Sequence, residues 1–239
     1  MRLPSLSIFF PYLNDGAVVA GLLEASHRIA PEVAERFEVL VVDDGSHPEE
    51  TRSLDRIAAA YPTVRVLRHG RNRGYGAAIR SGIARSSMEW IFYTDGDGQY
   101  DPLDLRLLWR RWQEDQASDI VNGYKLNRSD TRLRIVLGEA YRRLARGLCG
   151  LPIRDVNCDF RLLRGSLARG LTLRSQGGAI GLELVLAAQA RGARFSEVGV
   201  RHHPRLSGAS AFFTPHGLWQ FARELVWLGG RFGPWVARR

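Results

Sequence analysis

The run Trp90-Ile-Phe-Tyr-Thr-Asp-Gly-Asp-Gly-Gln99 decides the fold. Its first five residues are all aromatic or β-branched, the types that suit a buried strand. They give way at once to two carboxylates set two residues apart. The same arrangement stands upstream, where Phe37 to Val42 (FEVLVV) ends at Asp43-Asp44-Gly45-Ser46. Leu6 to Phe10 and Val64 to Leu67 read as two more short apolar strands. Helices fit the intervals at about 15–30, 48–60 and 75–86, with Pro48 suited to a first helical turn. Near-continuous apolar strands alternating with helices predict an α/β fold with a mostly parallel sheet covered on both faces. Ligands of such sheets bind beyond the carboxyl ends of the strands. Both acidic clusters fall on that rim.

Further along, Asp119 to Tyr124 is a plausible strand, and 131–148 carries an apolar stripe of helical period through Leu133, Val136, Leu137, Ala140, Tyr141, Leu144 and Leu148. A helix is expected near 180–191 and a strand near 194–201. The last stretch, 218–239, mixes Trp219, Phe221, Trp227, Phe232 and Trp235 with Arg223, Arg231, Arg238 and Arg239. It reads as an amphipathic segment that suits either a core or a membrane surface.

The chain has 239 residues, 45% hydrophobic and 25% charged, a soluble-globular composition. Its net charge of +9 is unevenly placed. Residues 1–124 hold 14 Arg against 18 acids, net −4; residues 125–174 are net +8 and residues 175–239 net +5. A regional basic excess suits phosphate, whether of nucleic acid, anionic lipid or a phosphorylated ligand. The acidic first half and the lack of a helix-turn-helix or aromatic RNA motif speak against nucleic acid. No apolar run reaches the roughly 18–20 residues of a membrane span. Leu6 to Leu13 is broken by Pro11 and by Asn14-Asp15, so no signal peptide is expected. Cys149 and Cys158 match no metal spacing, and reduced thiols in a cytosolic setting are expected.

Asp95 and Asp97, leaving a strand into a glycine-rich turn, can converge on one hard divalent cation, with Gln99 offering a further neutral oxygen. The same letters also fit a solvated Asp-Gly turn. An EF-hand is excluded, because no helix precedes and no Glu stands at the twelfth loop position. Asp43 and Asp44 suit hydrogen bonding to a nucleobase or ribose, or else capping of the next helix. Asn72-Arg-Gly-Tyr-Gly-Ala77 opens a helix and favours an anionic ligand. It is no dinucleotide fingerprint, since Ile79 occupies the third glycine position. His202 and His203, adjacent on an extended segment, point to opposite faces and suit a half-buried loop better than a metal.

The ordered series is more specific than any one motif. It runs Pro11-Tyr-Leu-Asn-Asp15, Val41-Val-Asp-Asp-Gly-Ser46, Asn72-x-Gly74-x-Gly76-Ala77, Asp95-Gly-Asp97-Gly-Gln99 with Pro102, and Gly123-Tyr-Lys125. Asp155-x-Asn-Cys-x-Phe160-Arg161 and Arg205-x-x-Gly208-x-Ser210 complete it. This series resembles family 2 glycosyltransferases of the GT-A fold, and within them the dolichol-phosphate mannosyltransferase and polyprenyl-phosphate glycosyltransferase branch. The resemblance covers about residues 5–211 and implies a glycosyltransferase domain over 1–211. Residues 1–115 would form its nucleotide-sugar half and 116–211 its acceptor half, leaving 212–239 as an amphipathic, membrane-associating segment.

Carried over by position, the resemblance puts Pro11, Leu13, Asp15, Val42, Asp44, Gly74, Asp95 and Gly96 at the donor nucleotide. Asp95 and Asp97, with Gln99, would hold Mg²⁺ or Mn²⁺. Lys125 and Arg205, together with Asp97, would act on the phosphates during reaction, while Lys125, Arg134 and Ser210 would meet the acceptor phosphate. The chain departs from the pattern at several positions. Leu13 replaces an aromatic, Asp15 a Glu, and Lys125 the usual Arg. Ala211 replaces a Lys, Gly138 a Ser, and Asp159 a small residue.

The implied reaction is inverting transfer of a sugar from a GDP-, UDP- or dTDP-sugar to a polyprenyl phosphate, on the cytoplasmic face of a membrane. A homo-oligomer or a separate membrane partner protein is compatible with this reaction. A saccharide hydroxyl as acceptor would instead need a general base. Glu183 is one candidate, with a solvent-exposed helix position as its other reading. Asp155 is a second, though a structural place beside Arg161 suits it better.

Overall fold

In the computed structural model, which describes residues 1–126, 150–204 and 214–236, seven strands form one sheet in the order β3-β2-β1-β4-β6-β5-β7. Strand β1 (Leu6–Tyr12) lies between β2 (Phe37–Asp43) and β4 (Trp90–Thr94), parallel to both, and is buried along its whole length. Strand β3 (Val64–Arg68) pairs in parallel at the outer edge of β2. Burial on both faces is why β1, β2 and β4 read as near-continuous apolar runs, whereas the edge strand β3 is only partly buried. Within β1, Ile8 and Phe10 join one core cluster while Phe9 joins the other, the two-residue period of a strand with a core on each side.

Helices α1 (Gly16–Val33) and α4 (Leu105–Glu114) cover the first face, the latter entered through a 3₁₀ turn at Pro102–Asp104. Helix α1 runs a turn past the expected end, through Pro31. Its last turn is held because Val33 is buried and the Val33 carbonyl accepts from the Leu3 N–H at 2.7 Å. Helix α2 (Pro48–Ala58) packs along α1 and β3. Helices α3 (Tyr75–Arg85), α5 (Gly165–Gly170) and α6 (Ile180–Gln189) cover the second face. Helix α7 (Pro215–Val236) lays Leu228 and Phe232 against Leu182, Val185 and Leu186 of α6, a third apolar cluster.

Strands β5 (Ile120–Lys125) and β7 (Phe195–Val200) fall where the pattern indicated. The strand that sequence reading missed is β6 (Phe160–Arg164), which runs antiparallel to both β4 and β5. It contains Arg161, which breaks the apolar signature, yet Arg161 is fully buried. The helix expected at 131–148 lies outside the described residues.

Candidate active site

The carboxyl ends of β1, β2, β4 and β5 bring the candidate residues to one rim. Asp95 leaves β4 half-buried, and Asp97 follows it buried, accepting the Gln99 N–H at 3.0 Å. The turn can pass this close to β1 only because residue 96 is glycine, since a Cβ there would collide with the Pro11 carbonyl oxygen. Burial pushes the Asp95 carboxyl well above the usual carboxylate range, and the negative charges of Asp97 and Asp159 push it further. Its hydrogen bond from the Tyr75 hydroxyl at 2.6 Å and the nearby Lys125 charge pull the other way without balancing it. A carboxyl raised in this way, with a second carboxylate two residues on, is the electrostatic signature of a cation site. Among the described residues no three His, Cys, Asp or Glu side chains are grouped to hold a metal by themselves. Two carboxylates completed by water and phosphate oxygens are the arrangement Mg²⁺ ordinarily accepts, so these residues fit such an ion.

Behind Asp95 lies a buried network on β6. The Arg161 guanidinium donates to the Tyr93 hydroxyl at 3.0 Å and to the Cys158 and Gly181 carbonyls, each at 3.2 Å. The Tyr93 hydroxyl in turn donates to Asp159 at 3.1 Å. The carboxylate beside Arg161 is therefore Asp159, at 3.7 Å, and not Asp155 as expected. Asp155 instead turns its chain, accepting the Asn157 N–H on its side chain and the Asn122 side-chain amide on its carbonyl.

Glu183 is neither solvent-exposed nor free to act as a base. It is fully buried and accepts the Arg174 and Ser175 N–H groups at 2.7 to 2.9 Å, with Arg231 of α7 at 2.8 Å. Asp44 is similarly engaged. One oxygen accepts from His69 at 2.6 Å and the Arg73 N–H at 2.9 Å, and the other from the Gly74 N–H at 2.9 Å. Asp43 accepts the Ser46 N–H at 2.9 Å, and no side chain caps α2, whose flanking residue is His47.

Of the other candidates, Pro11, next to last in β1, lies beside Val42, both buried. Leu13 and Asp15 flank Asn14, whose left-handed φ of 57° and bonds to Ser46 and His47 fasten this loop to the end of β2. Lys125 ends β5 with its ammonium 5.9 Å from the Tyr100 ring. The Gln99 side-chain amide donates to the His203 carbonyl at 3.2 Å, and the two backbones bond at 2.8 Å. His202 is buried edge-on to Tyr100 while His203 is exposed, so the two diverge as expected. At Gly74 (φ 96°) and Gly76 a Cβ would lie 2.5 Å from the carbonyls of Gln176 and Ser175, so the glycines there admit protein backbone. Cys158 is buried and free, its thiol pushed up to about 12 by burial and by Asp155. Cys149, Arg134, Arg205 and Ser210 lie outside the described residues.

Three residues of this rim went unread in the sequence. Tyr75 was hidden among the glycines of 72–77, His69 carries no motif, and Asp159 stood out only as a departure from pattern.

A seven-stranded, mostly parallel sheet with helices on both faces and an Asp-x-Asp turn at a strand's carboxyl end is the GT-A, Rossmann-like class of fold. Residues 7–171 match Glycosyl transferase family 2, and the chain belongs to that family. A dolichyl-phosphate β-glucosyltransferase of Mus musculus is 30% identical, over 83% of this chain and 66% of its own length. A dodecaprenyl-phosphate galacturonate synthase of Rhizobium johnstonii is 25% identical, over 87% of this chain and 61% of its own. The chain thus spans between about half and two thirds of the length of the curated relatives it matches. Among solved structures, glucosyl-3-phosphoglycerate synthase of Mycobacterium tuberculosis with Mn²⁺, UDP and glucosyl-3-phosphoglycerate superposes with a TM-score of 0.74. That likeness extends over 96% of this chain and 80% of that one at 16% identity, a likeness of fold.

Proposed function

We propose that the chain is an inverting, metal-dependent glycosyltransferase that moves a sugar from a nucleotide diphospho-sugar to a polyprenyl phosphate at a membrane surface. The observation that carries this reading is the Asp95-x-Asp97 turn, a carboxyl raised by burial and like charge with a second, buried carboxylate two residues on, at the rim of a family 2 chain. The curated relatives named above are polyprenyl-phosphate enzymes, which supports the acceptor class.

Asp95 and Asp97, with Gln99, would hold Mg²⁺ or Mn²⁺. Bound there, the ion would supply charge neutralisation for a departing diphosphate. Pro11, Leu13, Asp15, Val42, Gly74 and Gly96 form the wall assigned to the donor nucleotide. In it, Asp44 keeps one lone pair beyond its three bonds for a base or ribose. Lys125 adds a compact positive charge near Asp95, and Arg205, Arg134 and Ser210 are assigned to phosphates. A lipid phosphate oxygen attacks the anomeric carbon and the bond to the diphosphate breaks. The nucleoside diphosphate leaves, and configuration inverts. The attacking phosphate is already ionised near neutral pH, so no base is required. Glu183, with both oxygens engaged, fits this better than a hydroxyl acceptor.

Helix α7 turns Leu218, Trp219 and Val226 outward, at 47%, 59% and 79% exposure, with Arg223 stacked on Trp219. An apolar outer stripe with Arg beside Trp suits the interface of an anionic membrane. Among the described residues no helix is long and apolar enough to cross one. Peripheral attachment at the cytoplasmic face is the localisation we favour.

The test supplies radiolabelled UDP-, GDP- and dTDP-sugars with Mn²⁺, with and without polyprenyl phosphate. Label entering the organic phase only with lipid phosphate is expected. Label remaining aqueous with all three donors would overturn the acceptor assignment. No Mn²⁺-dependent thermal shift with any of them would overturn the donor site.

A further inference from the structure

Residues 174–177 form a short strap between α5 and α6, and its four consecutive backbone N–H groups are held by two buried glutamates. Glu183 of α6 takes those of Arg174 and Ser175, and Glu224 of α7 takes those of Gln176 and Gly177, each at 2.9 Å on Oε1. The Gln220 side chain adds a third bond to the same oxygen at 3.2 Å, while Oε2 is buried with no hydrogen-bond partner among the described residues. Burying a carboxylate with one oxygen unanswered costs stability, a cost only partly offset by satisfying the Gln176 and Gly177 N–H groups. What the carboxylate provides instead is a fixed register for the strap.

That register reaches the candidate metal site. The Gln176 carbonyl accepts the Gly76 N–H at 2.7 Å, and the strap backbone fills the space a side chain would need at Gly74 and Gly76. Tyr75 stands between those two glycines, and its hydroxyl donates to Asp95 at 2.6 Å. The strap meets α3 through main chain, and the Tyr75 bond to Asp95 joins two half-buried side chains, so a shift of the strap must move the first turn of α3 with it.

We propose that Glu224 is a positioning residue for the Asp95 site, acting through the 174–177 strap and Tyr75. The proposal deepens the donor-site reading, and it makes α7 part of the machinery rather than a membrane anchor alone.

The test uses the full chain with Glu224→Ala, Glu224→Gln, Tyr75→Phe and the Glu224→Ala/Tyr75→Phe double variant. Amide hydrogen exchange is read first, without ligand. Glu224→Ala should speed exchange about tenfold at 74–78 as well as at 174–177, leaving β2 unchanged. Acceleration confined to 174–177, or spread equally through β2, overturns the relay. Mn²⁺ affinity is read second, from the free-ion paramagnetic resonance signal with GDP, UDP or dTDP present. Glu224→Ala and Tyr75→Phe should each weaken it about tenfold and the double variant no more than either, whereas about a hundredfold would mean independent effects and overturn the coupling. Glu224→Gln keeps an acceptor oxygen and should restore most of the affinity, and its failing to do so counts against the role. If the wild type binds Mn²⁺ with none of the three nucleotides, the donor-site reading fails, and the exchange measurement still decides the relay.

Discussion

Two carboxylates at opposite ends of the same sheet have opposite fates. Glu38, near the start of β2, accepts from the Ser7 hydroxyl at 2.7 Å, from the Ser87 N–H at 2.7 Å and hydroxyl at 2.9 Å, and pairs with Arg65 at 3.0 Å. Burial raises its carboxyl, but these donors outweigh it and hold it below the ordinary value of 4.5. Asp95, at the end of β4, is raised by burial and by two like-charged neighbours, and its one hydroxyl donor and a lysine leave it raised. Both residues are acidic and both sit at strand ends. One end is electrostatically balanced and serves the fold, and the other, among the described residues, is not. Sites that bind or react are where such stress is retained.

The sharpest way to break this comparison is to neutralise the stressed end. Asp95→Asn or Asp97→Asn should lower kcat by about a thousandfold, as loss of a principal charge-stabilising group does. In metal-free buffer Asp95→Asn should also raise Tm. The native carboxyl is raised, so its ionised form opposes folding above that raised value, and the gain should fade as pH falls toward 4. A lower Tm at neutral pH would refute the reading of Asp95 as stressed.

Next in size is the network behind it. Arg161→Leu strips the guanidinium from Tyr93 and Asp159, and should cost about 3–5 kcal/mol in denaturant unfolding, as breaking a buried ion pair does. A loss below about 1 kcal/mol would reduce Arg161 to the scale of a surface pair. Lys125→Ala should lower kcat by about a hundredfold with Tm nearly unchanged, because it removes charge at the proposed phosphate site and little packing. Near-normal turnover would withdraw its phosphate role.

The smallest effect tests the satisfied end. Glu38's stabilisation is present above pH 4.5 and is lost as pH falls through and below that value, because its native carboxyl lies lower than its unfolded one. Glu38→Gln should therefore flatten the acid limb of the stability curve, read from Tm between pH 6 and 3. An unchanged limb would show that Glu38 is not held low.

Much of the rim was legible, and for one reason. Asp43, Asp44, Asp95 and Asp97 each come just after an apolar run, Val39 to Val42 or Trp90 to Tyr93, so the strand boundary and the acidic cluster announce each other. What was not legible was how each carboxylate is answered. Asp44 and Asp43 look alike in sequence, yet Asp44 draws its donors from His69, Arg73 and Gly74, more than 20 residues away. Glu183 looked like a helix surface residue because its partners, the 174–175 amides and Arg231, come from a turn and a distant helix. Asp155 and Asp159 are four residues apart, and only the hairpin-like return of β6 along β4 decides which of them meets Arg161.

By itself the sequence determined the covered α/β sheet, the strand ends and the residue types offered there, since side-chain period and local backbone preference are properties of neighbours along the chain. Only the tertiary structure decided which charges are compensated, the antiparallel place of β6, and the bond from Tyr75 to Asp95. Compensation depends on distances between residues far apart in the chain, and no local pattern carries them.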